Sequence, residues 1–251
     1  MADAAIKTVW LDNPPLNVIG ATVAETIAVA LEEIADDTRV LVLRGAGEKA
    51  FSAGADISGF QESDGGARRL QRLADAIEQA RVPVVAAIHG YCLGGGLELA
   101  LGCDLRIARR DAQLGFPEVK LGLLPGGGGT QRAPRLIGRS RTAWLVMSGE
   151  RIDAALAERW GLVDFVFDDL DAGVEQVAGT LAKQSPNALR EIKQLLLATR
   201  DERNDDLESD AFARCRASDD GKEGVAAFLE KREPRWAAEF KGSDGSPTPS
   251  S

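Results

Sequence analysis

Two glycine-bearing segments and two glutamates carry the residue types from which acid–base and oxyanion chemistry is built. Ala53-Gly54-Ala55-Asp56 stands at the end of an extended stretch, and Gly94-Gly95-Gly96 opens the helix-like run Leu97-Glu98-Leu99. Glycine serves where a backbone must approach something closely, and a helix start presents N–H groups that have no partner within the helix. Two such amides from separate segments can converge on one oxygen and stabilise charge that develops there. Losing one good donor of this kind typically costs about 3–4 kcal/mol in barrier. Each cluster by itself is equally a tight turn.

Glu98 follows Gly95 by three residues, within about one helical turn, so its side chain is carried toward whatever the Gly95 amide binds. Glu118 follows Pro117 in the connection after an extended stretch at residues 113–116, and the proline limits how freely that backbone flexes. Both acids have apolar neighbours, in Leu97-Glu98-Leu99 and in Phe116-Pro117-Glu118-Val119. Partial burial of two nearby carboxylates drives their titrations apart, leaving one protonated and one ionised. Such a pair can take a proton from water and give one to carbon. Taken singly, Glu98 also reads as a solvated helix residue and Glu118 as a turn acid.

Other chemistries fit poorly. Neither glycine run is followed by Lys-Ser or Lys-Thr, and Leu99 occupies the last glycine position of G-x-G-x-x-G, so a nucleotide-phosphate cradle is dropped. The single histidine, His89, rules out mechanisms that need two imidazoles, and no G-x-S-x-G supplies it with a nucleophile. Cys92, Cys103 and Cys215 are too widely spaced for a disulfide framework or metal-ligand pairs, and read as buried free thiols.

The elements that must position these residues alternate along the chain. Residues 6–12 read as a strand that Asn13-Pro14-Pro15 stops. Thr22 and Glu25 form a capping-box pattern, and Val23, Ile27, Leu31 and Ile34 mark an amphipathic helix over 22–36. Val40-Leu41-Val42-Leu43 suits a strand covered on both faces, and residues 50–54 are extended. A loop at 58–68, a helix to about 79, a strand at 82–88 and a helix start at 97–101 follow. Further strands are expected at 103–109, 113–116 and 162–167, with helices at 130–137, 141–148 and 153–160. This alternation, lasting to about residue 185, indicates α/β architecture with much parallel pairing. Beyond it the pattern is all helix, at 187–200, 203–217 and 221–231, and the Gly-, Ser- and Pro-rich residues 242–251 are expected to be disordered.

A chain of 251 residues is long enough for one domain with an appendage. The formal charge of −9 argues against a nucleic-acid backbone as main partner. An anionic ligand then requires basic groups and amides to cluster locally. The first residues show no basic leader followed by an apolar stretch, and no apolar run approaches the roughly 18–20 residues that span a bilayer. The expectation is a cytoplasmic protein with no membrane partner.

Three segments together resemble the signatures of the enoyl-CoA hydratase/isomerase (crotonase) superfamily. They are Ala50-Phe51-Ser52-Ala53-Gly54-Ala55-Asp56-Ile57, His89-Gly90-Tyr91-Cys92-Leu93-Gly94-Gly95-Gly96-Leu97-Glu98-Leu99-Ala100, and the stretch from Phe116-Pro117-Glu118-Val119 through the glycine run 126–129 to Thr130-Gln131-Arg132. The likeness runs from about Ile6 to Trp236. It implies an α/β crotonase-like spiral of repeated ββα units over residues 1–186 and a C-terminal helical trimerisation module over 187–241. The implied assembly is a homotrimer or a hexamer made of two trimers.

The resemblance maps an oxyanion hole onto the backbone N–H groups of Ala55 and Gly95, and the two catalytic carboxylates onto Glu98 and Glu118. Glu98 would help to activate water, and Glu118 would exchange the proton beside the thioester carbonyl. Ala53, Ala55, Asp56, Ile57, Ser58, Gly94, Gly95 and Gly126 are the implied substrate-contacting positions, with Gly126 near the water and the 58–68 stretch shaping the acyl pocket. Lys231 matches a basic position that can reach coenzyme A, and Lys49 is a weaker match. No cofactor or metal is implied, since coenzyme A is part of the substrate. With both glutamates present the resemblance favours hydration of a trans-2-enoyl-CoA to the 3-hydroxyacyl-CoA. Isomerisation or another enolate reaction on the same scaffold is the alternative. A non-catalytic trimeric scaffold or an RNA-binding relative belongs to a different class, and the acidic charge disfavours the latter.

Overall fold

The computed structural model describes residues 5–56, 65–198 and 205–239. After β1 (Ile6–Leu11) and α1 (Ala21–Glu32), the chain makes three strand–strand–helix units. They are β2 (Val40–Gly45), β3 (Ala50–Ser52) and α2 (Gly65–Glu78); β4 (Val84–Ile88), β5 (Tyr91–Leu93) and α3 (Gly95–Leu101); and β6 (Leu105–Arg109), β7 (Gln113–Gly115) and α4 (Gly129–Ser148). A 3-10 turn at Pro117–Leu121 precedes α4. Then come β8 (Arg151–Asp153), α5 (Ala154–Trp160), β9 (Phe165–Phe167) and α6 (Leu170–Ala182).

The first strand of each unit joins a five-stranded sheet ordered β1-β2-β4-β6-β9, and the second joins a four-stranded sheet ordered β3-β5-β7-β8. All pairings are parallel except β7 with β8. Each unit therefore gives one strand to each sheet before its helix closes the turn, and the chain advances as the expected spiral of ββα units.

Continuous apolar strands make this possible. Alternate side chains of a strand point to opposite faces, so Val40 and Val42 pack with Val85, Ala87 and Ile107 against Leu170, Val177 and Ala178 of α6. Leu41 and Leu43 point the other way, into the main core with Val84, Ala86, Ile88 and Phe51. Both faces of β2 are covered, as the unbroken run predicts.

Several local expectations are corrected. Thr22 and Glu25 form no capping box: α1 starts one residue earlier, its N-cap is Gly20 with no side-chain bond, and it ends at Glu32. The reason is tertiary, since Ile19 is held in a β-bridge to Ala55 and the chain turns into the helix directly after it. Residues 65–68 are helical rather than loop. Burial of Leu70, Leu73, Ala74 and Ile77 along one face carries the helix back through two glycines despite about 1 kcal/mol of unfavourable propensity for each. The rest of the loop expected at 58–68 lies outside the described residues, as does the tail at 242–251. The helical runs at 130–137 and 141–148 belong to one element bent at Gly138, where φ is 77°.

The C-terminal helices α7 (Pro186–Ala198), α8 (Asp205–Ala217), α9 (Asp219–Glu230) and α10 (Arg235–Glu239) follow. Lys193 fastens α7 to the spiral: its buried ammonium donates to Ile77 O at 3.2 Å, Val82 O at 3.0 Å and Asp104 Oδ2 at 2.7 Å. Three donors meet three acceptors, so this buried charge is fully satisfied. Among the described residues no helix is long and apolar enough to cross a membrane.

Candidate active site

The first glycine segment is set by strand pairing. Ile19 N–H donates to Gly54 O at 2.8 Å and Asp56 N–H donates to Ile19 O at 3.2 Å, which makes the parallel bridge between Ile19 and Ala55. In such a bridge the middle residue directs its own N–H away from the partner. The second segment is set by helix geometry, because Gly95 opens α3 and its N–H precedes any intrahelical acceptor. Neither the Ala55 nor the Gly95 amide donates to another group among the described residues.

The two amides are neighbours. A Cβ placed on Gly95 would stand 2.9 Å from Ala55 N and 2.8 Å from Leu70 Cδ2. Only glycine permits that approach. Gly54 has φ of 122°, and a Cβ there would lie 3.7 Å from Gly95 N. Two unpartnered main-chain donors thus meet beneath Leu70.

Glu98 lies one turn into α3 and is only 2% exposed. Its Oε1 accepts Gly127 N–H at 2.7 Å and Gly129 N–H at 2.9 Å. Burial pushes its carboxyl above the ordinary range, while these amides and the Arg132 guanidinium pull it back down. Glu118 opens the 3-10 turn and packs over Gly94, where a Cβ would stand 2.9 Å from its Oε1. Its Oε2 is buried and has no hydrogen-bond partner among the described residues. Burial first, and the Glu98 charge second, push this carboxyl up to about 7, against a lowering by its own amide.

Both carboxylates and both amides line one cavity of about 510 Å³. Ala53, Gly54, Gly94, Gly126 and Gly127 supply backbone, and Leu70, Leu121, Leu123 and Leu124 make its walls apolar. The leucines of the 121–124 stretch are exposed at the rim. An anionic oxygen bound at the paired amides would have both carboxyl groups beside the same cavity, Glu98 held by two amides and Glu118 pushed up to about 7. That arrangement can polarise a carbonyl while moving a proton onto and off its neighbours.

The sequence-derived residues Ala53, Ala55, Gly94, Gly95, Glu98, Glu118 and Gly126 all line this cavity. Asp56 does not; it is exposed, with its side chain near Gly20. Ile57 and Ser58 lie outside the described residues. Lys231 is the exposed C-cap of α9 and does not line the cavity, and neither does Lys49. Sequence reasoning missed Leu70 and the two glycines that grip Glu98. The glycine run pointed to the second of these, but only Gly126 was assigned from it. Cys92 and Cys103 are buried free thiols held above their ordinary pKa chiefly by burial, and Cys215 is half-buried. His89 is buried away from this cavity.

A ββα spiral that brings two free amides and two unequal carboxylates to one apolar cavity defines a class of enolate-stabilising folds. The enoyl-CoA hydratase/isomerase family profile matches residues 1–239. A probable enoyl-CoA hydratase of Bacillus subtilis is 38% identical over 94% of this chain and 97% of its own. A crotonyl-CoA hydratase of Syntrophomonas wolfei is 38% identical over 92% and 94%. The solved structure of Pseudomonas aeruginosa DspI superposes with a TM-score of 0.87 at 38% identity, covering 92% of this chain and 93% of that one. The chain belongs to the enoyl-CoA hydratase/isomerase family.

Proposed function

We propose that this protein is an enoyl-CoA hydratase, a hydro-lyase that adds water across the double bond of a trans-2-enoyl-CoA in the degradation of fatty acids or related acyl groups. The observation that carries the reading is that Glu98 and Glu118 face one cavity beside two unpartnered main-chain donors. The thioester carbonyl oxygen sits at the Ala55 and Gly95 amides, which stabilise charge arriving there as the C2=C3 bond is attacked. Ionised Glu98 takes a proton from the water that adds at C3, and protonated Glu118 gives one to C2. Water is consumed, one proton enters one carboxylate and one leaves the other, and solvent exchange resets the pair. Coenzyme A enters as part of the substrate, and no separate cofactor takes part.

Ala53, Gly94 and Gly126 contact the bound thioester, and Asp56 is a further contact on the pantetheine side; the matching positions Ile57 and Ser58 lie outside the described residues. Assembly as a homotrimer, or as a hexamer of two trimers, is supported by apolar side chains left exposed on the C-terminal helices. Phe228 and its neighbour Leu229 in α9 are 83% and 73% exposed, and Phe212 of α8 is 70% exposed; exposed apolar side chains that join in a patch mark interaction surfaces. Lys231, which does not line the cavity of its own chain, contacts coenzyme A where assembly brings it to a cavity mouth. The working compartment is the cytoplasm.

The test is the loss of conjugated enoyl-thioester absorbance in the wild type and in Glu98→Gln and Glu118→Gln. Each substitution should lower kcat about 10²-fold or more. If Glu98→Gln spares turnover while Glu118→Gln abolishes it, isomerisation is the better description. If the wild type leaves the thioester unchanged, a non-catalytic role gains the ground.

A further inference from the structure

Arg132 lies in the first turn of α4 and is only 7% exposed. Its guanidinium donates to Gly127 O at 3.0 Å, to Asp75 Oδ1 at 2.5 Å, and to Glu78 at 2.8 and 3.3 Å. Gly127 is thereby held at both ends, since its N–H donates to Glu98 Oε1 and its carbonyl accepts from Arg132. The approach is close enough to dictate sequence: at Gly128, with φ of 107°, a Cβ would fall 2.1 Å from Arg132 Nη1. Asp75 and Glu78 belong to α2, the helix whose Leu70 packs over Gly95 and Gly127. One side chain therefore joins the helix roofing the paired amides to the glycine turn gripping the acid.

We infer that Arg132 is a positioning residue for hydration: it ties the glycine turn to α2 so that the Gly127 and Gly129 amides hold one oxygen of Glu98. The inference rests on the hydratase reading. Among the described residues two charged groups face Glu98, Arg132 from α4 and Glu118 from the 3-10 turn, and Asp75 and Glu78 of α2 stand beyond Arg132. Removing the positive charge takes away the guanidinium that stands behind the Gly127 turn and makes Glu98 harder to ionise. Removing the Glu78 charge does the opposite.

The test is kcat and KM for enoyl-thioester hydration across pH, with thermal melts, in full-length Arg132→Gln, Arg132→Lys and Glu78→Gln. Arg132→Gln should move the acid limb of kcat/KM to higher pH and lower kcat at neutral pH about tenfold or more, with KM changed less than about threefold. Arg132→Lys, which keeps the charge but loses the fork, should lower kcat with the limb near its wild-type place. Glu78→Gln should move the limb to lower pH, and it decides the matter if Arg132→Gln does not fold. Folded variants whose acid limbs coincide with the wild type, with only their melting temperatures changed, overturn the inference. A wild type that does not hydrate the thioester sinks both readings, and does so before any substitution is made.

Discussion

Glu98 and Glu118 line the same cavity with unequal support. One oxygen of Glu98 accepts two main-chain N–H groups, whereas Oε2 of Glu118 accepts none among the described residues. Amide donors favour the ionised form and burial the neutral one; against its burial Glu98 has the Gly127 and Gly129 amides, and Glu118 has its own amide. The pair is therefore prepared as one base and one acid.

The pH dependence of kcat/KM should accordingly be bell-shaped. Glu118 is pushed up to about 7 by burial and by Glu98, so activity should fall on the alkaline side as it loses the proton destined for C2. Activity should fall on the acid side as Glu98, also raised by burial, is protonated. The two limbs belong to the coupled pair. Steady-state rates over pH 4–10 check this, and a profile that keeps rising past pH 8 contradicts the acid role of Glu118.

Gly95→Ala should abolish most of the activity while leaving both glutamates in place. The added methyl would meet Ala55 N at 2.9 Å and Leu70 at 2.8 Å, occupying the space where the carbonyl oxygen binds. Loss of oxyanion stabilisation should lower kcat about 10²–10³-fold. The carbonyl stretch of a bound isotope-labelled thioester gives an independent reading. It should sit below its value in water for the wild type and return toward it in the variant.

A carboxyl kept partly protonated at neutral pH affects stability as well as chemistry. Glu118 titrates near 7 in the folded protein against an ordinary value of 4.5, so folding is unaffected by this group well below 4.5 and is increasingly opposed as pH rises through 7. Glu118→Gln should melt with the wild type at pH 4 and above it at pH 8. Allowing for solvent screening, the gain should be about 2–4 °C, the effect of roughly 1 kcal/mol in a domain of this size. Calorimetry at the two pH values checks the sign.

The exposed apolar side chains of the C-terminal helices should be covered by other copies of the chain. Phe228→Ser combined with Leu229→Ser should lower the mass seen by analytical ultracentrifugation from a trimer or hexamer toward a monomer. A wild type that sediments as a monomer contradicts the proposed assembly.

How much of this was legible in the sequence depended on contact range. Glu98 sits three residues from Gly95 in one short helix, so its direction follows from local geometry. β2 was readable because Val40-Leu41-Val42-Leu43 is buried on both faces. The orientation of the Ala55 amide depends on Ile19 in a distant segment, and the same bridge made Gly20 the helix start that Thr22 appeared to claim in the sequence. The grip of Gly127 and Gly129 on Glu98 spans 29 and 31 residues, and no periodicity announces such a contact. β5 and β8 have three residues each, too few for alternation to show.

The most direct measurement is a crystal structure with an unreactive acyl-CoA bound. The thioester oxygen should lie about 3 Å from both the Ala55 and the Gly95 nitrogens, with Glu98 and Glu118 beside C3 and C2. An oxygen that meets neither nitrogen, or amides directed at different atoms of the ligand, would contradict the proposed chemistry.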